Sequence, residues 1–333
     1  MKKNRPVIVS AFIMSGLAVA GCSGAANGTS KPTASALNGS KPIDSLVVGI
    51  AGEGNTSSYG ASVDRGLKDE ATKLGMKVYF TEAQYDGTKQ QSDVEDLIAK
   101  HPDGIAIVPV DSGLAAHLVD QITQANIPVA AVHTTVGTNF APGYAYPGLT
   151  FLLGEDEIHS GYEDGKLAIQ ALPQGGQVAV VEGKAGYAAV NERLMGFKQA
   201  IAGHNITIVA SQPGDWDQAK GQAVCANLMQ AKPGIDLFFA QDDNMATGCA
   251  AAVKQSGSKV LVIGNGGSKA GIAAVRSGDM YGTVCTKPYT EGKLAMEKFA
   301  GVLSGQLKLD KRRVTYPTPG VTKENVSECI PEW

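Results

Sequence analysis

The sequence predicts an α/β protein with two doubly wound lobes, each built on a parallel β-sheet. From residue 45 onward, short apolar runs alternate with segments of helical periodicity, which is the pattern of parallel strands joined by right-handed helical crossovers. The 41 glycines of the chain suit the many tight turns that such a fold requires. The strands outnumber those of one ordinary sheet, and the alternation is interrupted near residue 150, so two sheets are expected.

The first lobe begins with the apolar run 46–51, which is typical of a strand buried on both faces. Helical periodicity is clearest over 88–100, where Val94, Leu97 and Ile98 share one face. The other strands are expected at 76–80, 104–108 and 129–132, the other helices at 59–74 and 113–125, and a loop at 133–148.

The second lobe repeats the alternation. Its strands are expected at 177–181, 206–209, 237–239, 260–263 and 280–285, and its helices at 157–171, 188–202, 217–230, 244–254 and 269–276. Ligands of such sheets bind beyond the carboxyl ends of the strands, so a functional site is expected in the loops that follow the strands.

The first 43 residues predict export and anchoring. Residues 1–5 are basic and 7–20 are apolar, so 1–21 is predicted to be a secretory signal peptide. The small residues directly before Cys22 resemble a bacterial lipobox, which implies lipidation of Cys22; the alternative is an ordinary signal peptide with a chance cysteine. Residues 22–43 are polar and rich in Gly and Ser, and are expected to be a flexible linker.

Charge and motifs exclude several classes of function. The formal net charge is −3, which offers no basic field for nucleic acid. The histidines are isolated from one another, and the cysteines lack the paired spacing of a zinc site, so no metal is expected. No glycine-rich cofactor cradle is complete: Lys269 stands where the third glycine of a GxGxxG motif would be needed. No cofactor is expected, and the loops have the profile of a binding protein.

Four cysteines remain after Cys22, and an oxidising compartment permits disulfides. Four cysteines allow three connectivities. Cys225 and Cys249 fall on successive predicted helices of one lobe, whereas Cys285 and Cys329 lie near the end of the last predicted strand and in the tail. The pairs Cys225–Cys249 and Cys285–Cys329 are therefore predicted.

Five stretches carry a family resemblance, each at the expected place in the pattern: 66–75 (GLKDEATKLG), 124–129 (QANIPV), 191–197 (NERLMGF), 211–217 (SQPGDWD) and 239–246 (FAQDDNMA). With them, residues 45–315 resemble the type I periplasmic solute-binding proteins of the ribose- and galactose-binding group, which capture a sugar for an ABC importer. The resemblance implies three crossovers between lobes, near 150–154, 285–288 and 312–316. The lobes would then comprise 44–150 with 288–312, and 151–287 with 313–333, closing on a ligand as a hinged clamp.

The resemblance also implies a set of ligand-binding residues in the first lobe. Ser57 and Tyr59 match a polar residue and an aromatic ring at the start of the first helix. Glu53 stands where some members place a pocket residue. His133 departs from the family, because many sugar binders have an Asp-Arg pair at this strand end; a histidine there can donate and accept hydrogen bonds.

In the second lobe, Arg193 matches the ligand-gripping arginine of the family, with Asn191 as a lesser candidate on the same helix face. Trp216 matches the aromatic residue of that lobe, and Asp242 a residue that bonds hydroxyls. Trp333, the only other tryptophan, is expected to lie outside the site. Gly266 stands where the family usually has a binding Asp. Asn265 is expected to substitute for that Asp, and Thr286 replaces a Gln of the hinge strand.

These departures favour a pentose variant, sugar alcohol or cyclitol as ligand. The leading hypothesis is a lipid-anchored, monomeric, extracytoplasmic protein that performs no chemistry and delivers a small polyhydroxylated ligand to the permease of an ABC importer. One alternative is a sensory domain that reports the ligand to a membrane kinase or chemoreceptor. The other is a secreted enzyme that uses the Asp242 region.

Overall fold

The first lobe is a six-stranded parallel sheet in a computed structural model that describes residues 41–333. Its strands are β1 (Val47–Gly52), β2 (Lys77–Glu82), β3 (Gly104–Ile107), β4 (Val129–Val132), β5 (Leu149–Glu155) and, from late in the chain, β11 (Arg313–Tyr316). The spatial order is β11-β5-β4-β3-β1-β2. Helices α1 (Ser58–Lys73), α2 (Gly87–Ala99), α3 (Ser112–Gln124) and α9 (Pro288–Leu303) complete the lobe.

Both faces of this sheet are covered by apolar side chains. On one face Leu67 of α1 and Phe299 of α9 pack against Ile50. On the other face Leu97 of α2 and Leu118 of α3 belong to a second cluster of buried residues. Because strand side chains alternate between faces, a sheet with helices on both sides needs strands that are apolar throughout, and this explains the continuous apolar runs in the sequence.

The second lobe has the same construction. Its strands are β6 (Gly176–Glu182), β7 (Ile206–Pro213), β8 (Leu237–Ala240), β9 (Leu261–Gly266), β10 (Gly282–Cys285) and β12 (Gly320–Thr322), in the order β12-β10-β9-β8-β6-β7. All neighbours are parallel except β12, which runs antiparallel to β10. The helices are α4 (Glu157–Ala171), α5 (Ala188–Ile201), α6 (Gln218–Ala231), α7 (Asp243–Ser256) and α8 (Lys269–Ser277). The predicted fold of two doubly wound lobes is confirmed.

Two lobe boundaries differ from those expected from sequence. The run 149–155 is a strand that pairs with β4, so the first lobe continues to Glu155 and does not stop at 150. Residues 313–316 pair with β5, so they belong to the first lobe and not to the second. The chain therefore crosses between the sheets at 155–157, 286–287 and 317–319, of which only the second lies at the place expected.

Both disulfides have the predicted pairing. Cys225 of α6 bonds Cys249 of α7, with their Cα atoms 5.2 Å apart. Cys285, at the end of β10, bonds Cys329, with their Cα atoms 5.8 Å apart. The first disulfide links two helices of the second lobe, and the second disulfide attaches the last segment of the sequence to the sheet of that lobe.

The predicted signal peptide, the first 19 residues of the predicted linker and the predicted lipidation at Cys22 lie outside the described residues. Among residues 41–333, no helix combines the length and the apolar character that crossing a bilayer requires.

Candidate functional site

A row of aromatic rings crosses the cleft between the lobes. Tyr59, at the start of α1, lies 4.6 Å from His133, which follows β4. His133 is 5.9 Å from Tyr187, the residue before α5. Tyr187 in turn meets the edge of Trp216, in the loop after β7, at 5.9 Å between ring centroids. The row begins in the first lobe and ends in the second, so the rings form a wall common to both.

Local backbone geometry sets the direction of these rings. His133 and Trp216 have positive φ angles of 74° and 64°, a conformation that side chains other than glycine adopt rarely and that clusters at functional sites. Ser57 caps α1 by accepting a hydrogen bond from the amide of Gly60. The indole of Trp216 lies directly over Gly183, where a Cβ would stand 1.9 Å from the ring.

Glu53 lies behind the row of rings. It is fully buried, and its Oε2 accepts a hydrogen bond from the hydroxyl of Tyr187 over 3.2 Å. Gly60 leaves room for it, because a Cβ there would lie 2.4 Å from Oε1. Burial raises the pKa of this carboxyl, although His133 opposes the rise. Glu53 therefore supports the wall from behind.

Arg193 is held by a buried ion-pair network at the first crossover. Its Nε donates to Glu157 over 2.6 Å, and its Nη2 donates to Glu155 over 2.9 Å. Its Nη1 donates to the carbonyl of Gln241 over 2.5 Å. The guanidinium also lies 5.9 Å from the ring of Trp216. Every nitrogen of the guanidinium thus has a protein partner. Arg193 therefore holds the first crossover and the ring of Trp216 in place, a structural role in addition to the ligand-binding role that the resemblance implies.

His133 faces a group of buried carboxylates. Its Nδ1 lies 3.4 Å from an oxygen of Glu291, at the start of α9. Burial alone would lower the pKa of His133, but Glu291, Glu157 and Glu155 raise it to about 9. His133 is therefore protonated at neutral pH, and its imidazolium is a donor at both ring nitrogens.

One group of residues has the donor set of a metal site. Ligand atoms of His133, Glu155 and Glu157 all lie within 4.8 Å of one another, and all three side chains are buried. However, Arg193 pairs with both carboxylates. The positive charge that these carboxylates require is supplied by the guanidinium and by the imidazolium, so this arrangement is an internally neutralised network.

The second lobe contributes polar groups at the ends of its strands. Asp242 follows β8 and caps α7 by accepting from the amide of Met245, and burial raises its pKa to about 7. Asn265, in β9, donates through Nδ2 to Ser160 and Asp164, each over 2.8 Å. Within residues 41–333, Oδ1 of Asn265 and Nε1 of Trp216 are buried and have no hydrogen-bond partner. An acceptor and a donor are thus free at the wall of the cleft.

The rings and polar groups enclose a small cavity of about 30 Å³, with the lining residues Ser57, Tyr59, Tyr85, His133, Tyr187, Ala189, Arg193, Trp216, Asp242, Asn265, Gly266 and Trp333. This volume is about that of one water molecule and far below the several hundred Å³ of an ordinary ligand pocket. In this conformation the lobes are closed, and a sugar-sized ligand enters only when the lobes or the walls move apart.

Sequence comparison identifies the family. Residues 48–307 match the family described as periplasmic binding protein domain. The chain belongs to this family.

Individual relatives match most of the chain. The ribose import binding protein RbsB of Bacillus subtilis is 33% identical over 261 residues, which cover 78% of this chain and 83% of that protein. The xylitol-binding protein of Mycolicibacterium smegmatis is 26% identical over 278 residues, covering 82% and 76%. A solved ABC transporter solute-binding protein from Mycobacterium smegmatis, with bound glycerol, has a TM-score of 0.77 at 29% identity and covers 85% of this chain and 96% of that one.

Most residues that the resemblance implied for this periplasmic binding protein meet at the cavity. Three do not line it. Asn191 is exposed on α5. Glu53 lies behind the rings, and Thr286 is fully buried beneath β9, where its hydroxyl donates to the carbonyl of Gly266.

Five residues of the cavity wall were not among the predicted site residues: Tyr85, Tyr187, Ala189, Gly266 and Trp333. Tyr85 and Tyr187 fall in the loops after β2 and β6, so their position at strand ends was a usable signal. Trp333 had been expected outside the site, and this expectation is wrong: the last segment of the sequence folds back into the cleft of the binding protein. Cys329 was the only sequence signal, since its disulfide brings this segment to the end of β10.

Proposed function

We propose that this protein captures a small polyhydroxylated ligand, a monosaccharide, sugar alcohol or cyclitol, between its lobes and delivers it to an ABC importer. The single observation that carries the proposal is the cavity itself. Asn265 and Trp216 line a space walled by aromatic rings, and each has a buried polar atom that finds no partner within residues 41–333. Ring faces suit the C–H face of a polyol, whose hydroxyls then point sideways to donors and acceptors.

The polar groups can supply much of the free energy that micromolar binding needs. The protonated His133 and the indole Nε1 of Trp216 donate, whereas Asp242 and Asn265 accept. Hydrogen bonds to charged groups contribute about 1.5–3 kcal/mol each and neutral ones about 1 kcal/mol. Four such bonds with ring stacking therefore approach the roughly 8 kcal/mol of micromolar binding, before the cost of ordering two lobes is subtracted.

The named relatives support the same class of ligand. One is a ribose import binding protein and another a xylitol-binding protein, and the solved structure contains glycerol. The shared chemistry of these ligands is a short carbon skeleton with an oxygen on each carbon, most of them as hydroxyls. We extend this chemistry to the present chain as a proposal, together with an importer permease as partner and an extracytoplasmic location as a monomer anchored through lipidated Cys22.

We also propose that the protein performs no reaction on its ligand. Near the cavity, Glu155 and Glu157 are paired with Arg193, and one oxygen of Asp242 caps the start of α7. Binding and release between two hinged lobes need no nucleophile or acid–base pair.

A thermal-shift screen of the purified protein against pentoses, hexoses, linear polyols and cyclitols tests the proposal. A ligand at 100 times its dissociation constant stabilises the protein by about 2.7 kcal/mol, which raises the melting temperature measurably. Calorimetry on the hits then gives affinities. If no compound of these four classes shifts the melting temperature at millimolar concentration, the proposed ligand class is wrong.

A further inference from the structure

One wall of the cavity comes from the last residue of the sequence. The Nε1 of Trp333 donates to the carbonyl of Gly266, at the end of β9 in the second lobe, over 2.9 Å. Its ring meets the edge of Tyr59, in the first lobe, with centroids 5.4 Å apart. The indole therefore contacts both lobes and extends the row of rings by one member beyond Tyr59.

The segment that carries this indole is firmly attached. The disulfide between Cys285 and Cys329 holds its start. The amide of Lys269, in the second lobe, donates to the carbonyl of Trp333 over 2.9 Å. Glu332 accepts from the amide of Thr290, in the first lobe, over 2.9 Å. The indole is thus a fixed wall, since both its backbone and its ring have partners.

Gly266 is what makes room for the indole. A Cβ at this position would lie 2.3 Å from Cζ2 of Trp333, and the φ angle of Gly266 is +146°, a backbone conformation that side chains rarely adopt. An Asp side chain at position 266 and the indole of Trp333 would therefore clash, so only one of them can occupy this space. This chain therefore has an aromatic face where the sequence resemblance leads one to expect a hydroxyl-binding Asp.

We propose that Trp333 is a ligand-contacting residue that restricts this site to short acyclic polyols, of about three to five carbons, and disfavours six-membered rings. The inference rests on the proposed function and specifies its ligand. Every candidate ligand is larger than the roughly 30 Å³ cavity, so the walls must move apart on binding. An extended carbon chain is narrower than a six-membered ring and therefore needs less separation of the walls, and the doubly tethered indole resists expansion on its side.

Calorimetric titration with glycerol, erythritol, xylitol, ribose and myo-inositol tests this assignment in four proteins: wild type, Trp333→Ala, Trp333→Phe and Ile330→Ala. Wild type is expected to prefer the acyclic probes. Trp333→Ala should weaken these by at least about tenfold, as expected for the loss of an aromatic anchor, and should shift the affinity ratio towards ribose and myo-inositol. Trp333→Phe keeps a ring and should keep part of the preference. Ile330 is 71% exposed in the same segment, so Ile330→Ala should change neither affinity nor preference.

Two outcomes overturn the assignment. In one, Trp333→Ala binds all five probes with wild-type affinity. In the other, Trp333→Ala binds all five probes more tightly than wild type, which would mean that the indole only obstructs the site. Thermal denaturation of each variant separates lost binding from lost folding. If wild type binds none of the probes and no other sugar or polyol, the proposed function fails and the inference falls with it; if wild type binds but the variants match it, only the inference fails.

Discussion

The hydroxyl of Tyr187, in the second lobe, donates a hydrogen bond to the buried carboxyl of Glu53, in the first lobe, over 3.2 Å. This contact joins the lobes behind the row of rings, where solvent does not reach either side chain. The other oxygen of Glu53 has no partner within the described residues, so the one hydrogen bond that this carboxyl accepts there comes from across the cleft. Closure of the lobes is therefore coupled to the satisfaction of a buried group.

Tyr187→Phe removes this hydrogen bond while retaining the ring. The free energy of unfolding is expected to fall by about 1–2 kcal/mol, because a buried carboxyl loses its partner, and ligand affinity should fall with it because the closed state is destabilised. Urea denaturation and calorimetry measure the two effects. Tyr162→Phe is the control, since Tyr162 is 41% exposed in the same lobe; equal effects for both variants would contradict the coupling.

Trp216→Ala is expected to weaken ligand binding by about 2–4 kcal/mol, as truncation of an aromatic anchor does. The indole is half-buried against Tyr187 and Gly183, so some stability is lost as well, about 1–2 kcal/mol at partial burial. Calorimetry and urea denaturation separate the two. Normal affinity in a folded variant would place the ligand elsewhere. Both tryptophans line the cavity, so ligand-induced fluorescence changes should persist, reduced, in either single variant.

Arg193→Met leaves Glu155 and Glu157 without their cation. Breaking a buried ion pair by removing one partner costs about 3–5 kcal/mol, and this loss should appear in the free energy of unfolding before any ligand is added. Arg276→Met, on an exposed part of α8, is the matched control. A variant at 193 that is as stable as wild type but cannot bind would show that the arginine serves the ligand alone.

The stability of the protein should decrease between pH 6.5 and 9. The carboxylates facing His133 raise its pKa from 6.5 to about 9, so the folded state holds this proton more tightly than the unfolded chain. The resulting stabilisation, about 3 kcal/mol, is complete below pH 6.5 and is lost as the pH rises through 9. Burial also raises the pKa of Glu155, and this acts in the same direction.

His133→Gln tests the source of this dependence, because glutamine keeps hydrogen bonding without a titrating proton. Denaturation curves between pH 6.5 and 9 should be flatter for this variant than for wild type. His204→Gln is the comparison, since His204 is exposed. Parallel pH profiles for wild type and His133→Gln would remove His133 as the cause.

Cys22→Ser should release the protein from membranes into the soluble fraction. The expectation comes from the small residues that precede Cys22 and the polar segment that follows it. Fractionation of cells that express either form measures it, with Cys285→Ser as a control that alters a disulfide cysteine. Membrane attachment that survives Cys22→Ser would leave the chain without the predicted anchor.

The fold could be predicted because its strands are buried on both faces and therefore apolar throughout, as at 46–51. β5 was not predicted as a strand, since Leu149–Glu155 lies where a crossover was expected and follows a long loop. β11 mixes charged and apolar residues at the edge of the sheet, so its pattern is weak. The register of the strands and the sheet to which each belongs depend on pairing between distant segments. The hydrophobic periodicity of one segment carries no information about such pairing.

The residues of the site also divide into those that the sequence pattern predicts and those that it does not. Tyr59, His133 and Trp216 stand at strand ends, where the topology of a doubly wound sheet directs them into the cleft. The partners of Arg193 could not be predicted, because Glu155 falls just after the expected crossover at 150–154 and Glu157 at the start of a predicted helix, and nothing in the sequence links either residue to Arg193. The position of Trp333 depends on a disulfide and on the missing side chain of Gly266, two facts that are separate in the sequence and meet only in the folded chain.

The three crossovers lie next to one another, because β5 neighbours β11 in the first sheet and β10 neighbours β12 in the second. Three short connections that lie side by side act as a hinge, because they can bend together about one axis. A twisting motion would instead stretch one connection relative to its neighbours. We therefore expect the cleft to open mainly along a single coordinate. One distance between two probes, one on the outer face of each lobe, suffices to follow the whole movement, which makes the protein a natural frame for an optical reporter of its ligand.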